Sequence, residues 1–140
     1  MRYFFDTNII IDILDKKDDV LERLEAISLD EDSEIVINKL VYLEALRTIR
    51  FRDKNIFRQA KNTLDSFEKV DIKQEIYDDT VEFSRFCKSK GIQIKGRCEA
   101  IDFLHFITSK YYNLVLISND KDMEKLEEAY INFIKSLRSL

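Results

Sequence analysis

Residues 2–8, Arg2-Tyr3-Phe4-Phe5-Asp6-Thr7-Asn8, run from aromatic side chains directly into a carboxylate and two small polar groups. Arg2 to Phe5 reads as a short strand. An apolar strand that ends on an acid puts that acid at the carboxyl edge of a sheet, which is where open parallel folds carry their sites. Outward from this stretch, Asn8 to Leu14 reads as a short helix carrying Ile9, Ile10, Ile13 and Leu14. A second helix near Asp19 to Ser28 sets Val20, Leu21, Leu24 and Ile27 on one face, and Glu34 to Ile37 has the β-branched middle of a strand.

Further along, Asn38 is placed to cap a long helix reaching about Arg50, with Leu40, Val41, Leu43, Leu46 and Ile49 inward. Asp53 to Phe67 forms another helix, bearing Ile56, Phe57, Ala60, Leu64 and Phe67. Lys69 to Ile72 is a brief strand. Gln74 to Lys90 repeats Ile76, Tyr77, Thr80, Val81, Phe83 and Ser84 at helical spacing until Gly91 closes it. Residues 92–98 read as a loop, Glu99 to Lys110 as a strongly apolar helix, Leu114 to Ile117 as a central strand and Asp122 to Ala129 as a last helix. Tyr130 to Ile134 is a candidate edge strand. Strands alternate with helices throughout, which implies an α/β fold: a mainly parallel sheet of four to five strands with helices on both faces.

A chain of 140 residues suits one domain, here 1–140, able to bury roughly two thirds of the surface its unfolded form exposes. No run of about 18 apolar residues is present to span a bilayer, and Asp6 interrupts the N-terminal apolar run, so the expected location is cytoplasmic with no membrane contact. Cys87 and Cys98 form no Cys-x-x-Cys pair and read as reduced, partly buried thiols. The net charge of −4 excludes a general nucleic-acid binder of the histone kind. Charge is nevertheless segregated: Arg47, Arg50, Arg52, Lys54, Arg58 and Lys61 stand against one acid, Asp53, whereas residues 12–34 are dominated by Asp and Glu.

Three acids fall where they can join Asp6: Glu44 within an apolar helical stretch, Asp102 early in another, and Asp120 just beyond the strand Leu114 to Ile117. Gathered carboxylates repel and raise one another's pKa unless a cation neutralises them. With no Cys or His in the set, the donors favour Mg²⁺ or Mn²⁺ over zinc. Such a metal centre suits hydrolysis of a nucleic-acid backbone. Thr7 and Asn8, and Ser118 and Asn119, are short polar side chains placed to orient a carboxylate or bound water beside Asp6 and Asp120. The geometric expectation is that Asp6, Glu44, Asp102 and Asp120 converge within about 4 to 8 Å.

The set Asp6-Thr7-Asn8, Glu44, Asp102 and Ser118-Asn119-Asp120-Lys121-Asp122 resembles the PIN-domain ribonucleases, and in length the VapC-type toxins of toxin–antitoxin pairs. Strand followed by Asp-Thr-Asn is the most specific part. Ser118 stands where the family usually has Thr and Met123 where it has Phe, and Phe103, Leu104, His105 and Phe106 replace the small residues that tend to follow its third acid. The resemblance implies a Mg²⁺- or Mn²⁺-dependent endoribonuclease with Asp6, Glu44, Asp102 and Asp120 as catalytic and metal-binding acids. It also implies Asp122 as an accessory, a small antitoxin partner and a homodimer.

Each of these residues also has a plainer role. Asp6 and Asp102 can cap helices, Asp120 can belong to a turn, Asp122 and Glu99 can be helix-start acids, and His105 among apolar neighbours is more often a structural core residue. The basic run from Arg47 can be a solvated face or a phosphate contact. Lys95 and Arg97, in the loop before Asp102, are better placed to hold the scissile strand. Alternatives in function are an RNA-processing nuclease without an antitoxin and a non-catalytic α/β partner-binding domain. A phospho-receiver would want an acid after the third strand and a Lys after the last, and an aspartyl phosphatase Asp-x-Asp at the first; neither pattern is evident.

Overall fold

The computed structural model describes residues 1–28, 32–94, 99–119 and 121–139, without the side chains of Val20 and Ser28. The chain falls into two compact units, residues 1–71 with 114–119, and residues 72–113 with 120–140.

The first unit holds a four-stranded, wholly parallel sheet made of β1 (Arg2–Phe5), β2 (Glu34–Ile37), β3 (Glu68–Lys69) and β4 (Val115–Ile117). Its order is β3-β2-β1-β4. Phe4 and Phe5 point to opposite faces, as do Val36 and Ile37, and all four are fully buried. Both faces of the sheet are therefore covered there, as parallel strands require. β4 departs from the expectation of a central strand. It lies at the edge of the order, and its Val115 is 39% exposed.

Four helices connect β1 to β2 and β2 to β3: α1 (Thr7–Leu14), α2 (Asp18–Ser28), α3 (Lys39–Leu46) and α4 (Lys54–Asp65). α1 and α3 begin the same way, with Asp6 and Asn38 accepting from the backbone N–H three residues on, Ile9 and Val41, at 3.0 and 2.9 Å. α3 stops at Leu46 rather than near Arg50. Thr48 Oγ1 donates to the Ala45 carbonyl at 2.7 Å, and the Thr48 and Ile49 amides reach back only three residues, which tightens and ends the helix. The inward assignment of Leu43 also fails, since it is 58% exposed while Ala45 is buried; on α4, Ala60 and Leu64 are buried and Ile56 and Phe57 exposed.

The second unit contains α5 (Gln74–Ser89), α6 (Glu99–Tyr111) and α7 (Met123–Arg138), making seven helices among the described residues. α5 ends in a Schellman motif: Gly91 takes φ +70°, its N–H donates to Lys88 O, and Ile92 N–H donates to Cys87 O. Only a residue without Cβ adopts that conformation at little cost. Tyr77 and Val81, at helical spacing with the core residues of α5, prove exposed. Tyr130 to Ile134 is not an edge strand but part of α7. Leu126, Ala129 and Phe133 are buried at helical spacing, and Tyr130 and Phe133 both pack on Phe83, with ring centroids 5.7 and 5.4 Å away. Tertiary packing of a helical face overrides the strand preference of that segment.

Candidate active site

The order of strand addition reverses at β1: the chain adds β2 and β3 on one side of it and β4 on the other. Ligands of open parallel sheets bind outside the carboxyl ends of the strands flanking such a point. Phe5 is in register with Ile117, and the Asp6 N–H donates to the Ile117 carbonyl at 3.3 Å. Asp6 and Ser118 thus leave the sheet at the same edge from adjacent strands. β1 and β4 pair directly, with no strand between them.

Asp6 performs its plain role as well. Its Oδ1 accepts from the Ile9 N–H, which aims the carboxylate over the first turn of α1. Half-buried Thr7 then ties that turn to α3, its hydroxyl donating to Glu44 Oε1 at 2.7 Å. Glu44 is also half-buried, held by a neighbour of Asp6. Asn8, by contrast, is exposed. Asn119 is fixed from two sides: its Nδ2 donates to Asp12 Oδ2 at 3.2 Å and its Oδ1 accepts from Arg23, also at 3.2 Å. Asp12 in turn pairs with Lys17 at 2.9 Å, which holds the Lys17 ammonium above its usual pKa. Sequence reasoning missed Asp12 and Arg23. A lone acid inside the apolar run Ile9 to Leu14 was the available signal for Asp12; Arg23 gave none.

In the second unit, half-buried Asp102 lies in the first turn of α6 with exposed Glu99. His105, one turn on, is 3% exposed in the unbroken buried run Phe103 to Ser109, which accords with a core role. Asp122 precedes α7, is 8% exposed and pairs with Lys125 at 3.3 Å. Arg47 is an exposed residue just after α3. Asp120, Lys95, Arg97 and Cys98 lie outside the described residues. Of the four expected acids, Glu44 is tied to Thr7, the residue that follows Asp6, and Asp102 lies in the second unit. Among the described residues no group of three or more His, Cys, Asp or Glu side chains is gathered to hold a metal. The donors present are hard carboxylate oxygens, which suit Mg²⁺ or Mn²⁺. Among the described residues no helix is long and apolar enough to cross a membrane.

A search of curated proteins gives no significant match. The fold is similar to that in the crystal structure of VapBC2 from Rickettsia felis bound to a DNA fragment from their promoter, with a TM-score of 0.73 and 21% identity, over 89% of this chain and 92% of that one. The PIN domain model matches residues 3–129, a span that begins in β1 and takes in Asp6-Thr7-Asn8, Glu44, Asp102 and the β4 end. With an acid-tipped first strand beside the last strand of a parallel sheet, and that match over most of its length, the chain belongs to the PIN domain family.

Proposed function

We propose that this protein is a Mg²⁺- or Mn²⁺-dependent endoribonuclease that uses Asp6, Glu44, Asp102 and Asp120, and that it is the toxin of a toxin–antitoxin pair. The observation that carries the reading is the Asp6–Thr7–Glu44 arrangement at the carboxyl edge of β1, beside the end of β4. Membership of the PIN domain family supports nuclease chemistry. Similarity of fold to the VapBC2 structure supports an antitoxin partner, and the homodimer is proposed on the family resemblance of the sequence.

The metal, when bound, supplies charge neutralisation at the scissile phosphate and lowers the pKa of a water. The chain's own residues do the rest. The cap bond from Ile9 holds the Asp6 carboxylate in one orientation, and the Thr7 hydroxyl fixes one oxygen of Glu44. Second contacts of this kind orient carboxylates that bind a metal or water. Asn119, gripped by Asp12 and Arg23, holds the chain immediately before Asp120. Ser118 and Asp122 are proposed to support the same acids, and Lys95, Arg97 and Arg47 to contact RNA phosphates.

The test is cleavage of a mixed structured-RNA pool with Mg²⁺, Mn²⁺ or EDTA, comparing wild type with Asp6→Asn. Metal-dependent cutting that the substitution abolishes supports the reading. No cutting by folded, antitoxin-free protein under either metal removes the assignment.

A further inference from the structure

Two helices of the second unit, α5 and α7, share one charge pattern. Each carries its acids toward its start, Glu75, Asp78, Asp79 and Glu82 in α5 and Glu124, Glu127 and Glu128 in α7. Each ends on cations: residues 83–92 hold Arg85, Lys88 and Lys90 and no acid, and residues 129–139 hold Lys135 and Arg138 and no acid. The two ends border one open cleft of about 620 Å³, with Phe86, Lys90, Ile92, Asn132, Lys135 and Ser136 in its lining. Phe86 packs on Phe133 with ring centroids 5.4 Å apart, and the Lys90 ammonium lies 5.8 Å from the Phe86 centroid. Arg85 pairs with Glu82, but among the described residues Lys88, Lys90, Lys135 and Arg138 make no ion pair. Helix dipoles favour a cation at each end taken alone; two such ends bordering one cleft repel, and an anion between them removes that cost.

We propose that this cleft holds the RNA strand at nucleotides flanking the scissile bond. None of the four expected acids lines it, so its part is to grip the strand rather than to cut it. Lys90 and Lys135 meet backbone phosphates. The Ser136 and Ser139 hydroxyls donate to the Phe133 and Ser136 carbonyls at 2.6 and 3.0 Å. Toward the cleft they therefore offer acceptor lone pairs, which suit a ribose 2′-hydroxyl and repel a carboxylate. An acidic protein segment also needs apolar pockets for its anchors, but Phe86 and Ile92 are half-buried, and Phe86 already packs against Phe133 and the Lys90 ammonium. The inference rests on the nuclease reading for its choice of RNA and adds to it a second contact region.

The probe is a fluorescent oligouridine of about 12 nucleotides, titrated into the whole chain in EDTA, which stops metal-dependent cutting, and followed by anisotropy at several salt concentrations. The expected result is that Lys90→Ala with Lys135→Ala weakens binding about tenfold and lowers the slope of log K against log salt by about 1.4, one phosphate contact per lysine. Lys90→Arg with Lys135→Arg should restore both. The two lysines are exposed, and circular dichroism checks that the variants fold. Unchanged affinity and slope in the Ala pair overturn the inference. So does loss of binding to phosphatidylglycerol vesicles in that pair with oligouridine binding intact, which assigns the cleft to a membrane, or equal competition by polyglutamate, which reduces it to a general anion site. If wild type cuts the RNA pool while the Ala pair binds as wild type does, this inference falls and the nuclease reading stands; a wild type that neither binds nor cuts removes both.

Discussion

At the scale of single residues, the hydrogen bond from Thr7 to Glu44 separates a positioned acid from an idle one. Thr7→Val keeps the shape of the side chain and removes the donor. RNA cleavage by that variant is expected to fall about 10- to 100-fold, as loss of supporting contacts does in metal sites, while Thr7→Ser retains most of it. Wild-type rates in Thr7→Val would show that Glu44 needs no such support. Cys87 gives a second prediction. Its thiol is fully buried, and burial, with Glu99 adding negative charge nearby, pushes its pKa from 9.0 up to about 11. Below the lower value both folded and unfolded chains keep the proton. Between the two values only the unfolded chain gives it up, so stability falls as pH rises through that window, by up to about 3 kcal/mol. Burial also pushes up the Tyr130 phenol, which adds to the same alkaline loss. The measurement is therefore the difference between wild type and Cys87→Ala in urea midpoint across the window, where the variant should show the flatter curve. Asp6 was legible in sequence because an acid ending an apolar run is a local pattern. The Thr7–Glu44 bond was not, since it joins residues 37 apart.

At the scale of elements, helix starts were readable and several ends were not. Asn38 was recognisable as a cap because capping acts over three residues, and the structure places its side chain fully buried on the Val41 N–H. Asn38→Ala should cost about 1 to 2 kcal/mol in urea denaturation, since a buried amide donor then loses its acceptor. An unchanged midpoint would mean that another group satisfies that amide. The end of α3 was hidden because the Thr48 hydroxyl, rather than a Gly or Pro, closes it. α7 shows the opposite failure. Tyr-Ile-Asn-Phe-Ile has strand composition, but Phe133 sits at 5.4 Å from both Phe83 and Phe86, and Lys110 lies over the Phe106 and Tyr130 rings while pairing with Glu127. Phe133→Ala is expected to lose about 3 to 5 kcal/mol, a core-sized effect that an exposed edge strand would not show.

At the scale of the whole molecule, the proposal requires acids from distant parts of the chain to serve one cation. If they do, Mg²⁺ should raise the wild-type Tm, with a stabilisation of about 2.7 kcal/mol at a hundred times Kd. Asp6→Asn and Asp102→Asn should each abolish that rise, and the double variant should respond no differently from either single one. A rise that survives Asp102→Asn would remove Asp102 from the metal set. What the sequence by itself determined were features carried by neighbours along the chain. Examples are the alternation of strands and helices, the acid that tips β1, the caps Asp6 and Asn38, and Gly91 closing α5. Each depends on periodicity, capping or backbone freedom within about one helical turn. Only the tertiary structure decided that β1 lies between β2 and β4, that β4 forms an edge, and that Asn119 is held by Asp12 and Arg23. It also decided that Lys90 and Lys135 line one cleft. Those outcomes depend on which distant surfaces exclude water together, and no local pattern encodes that.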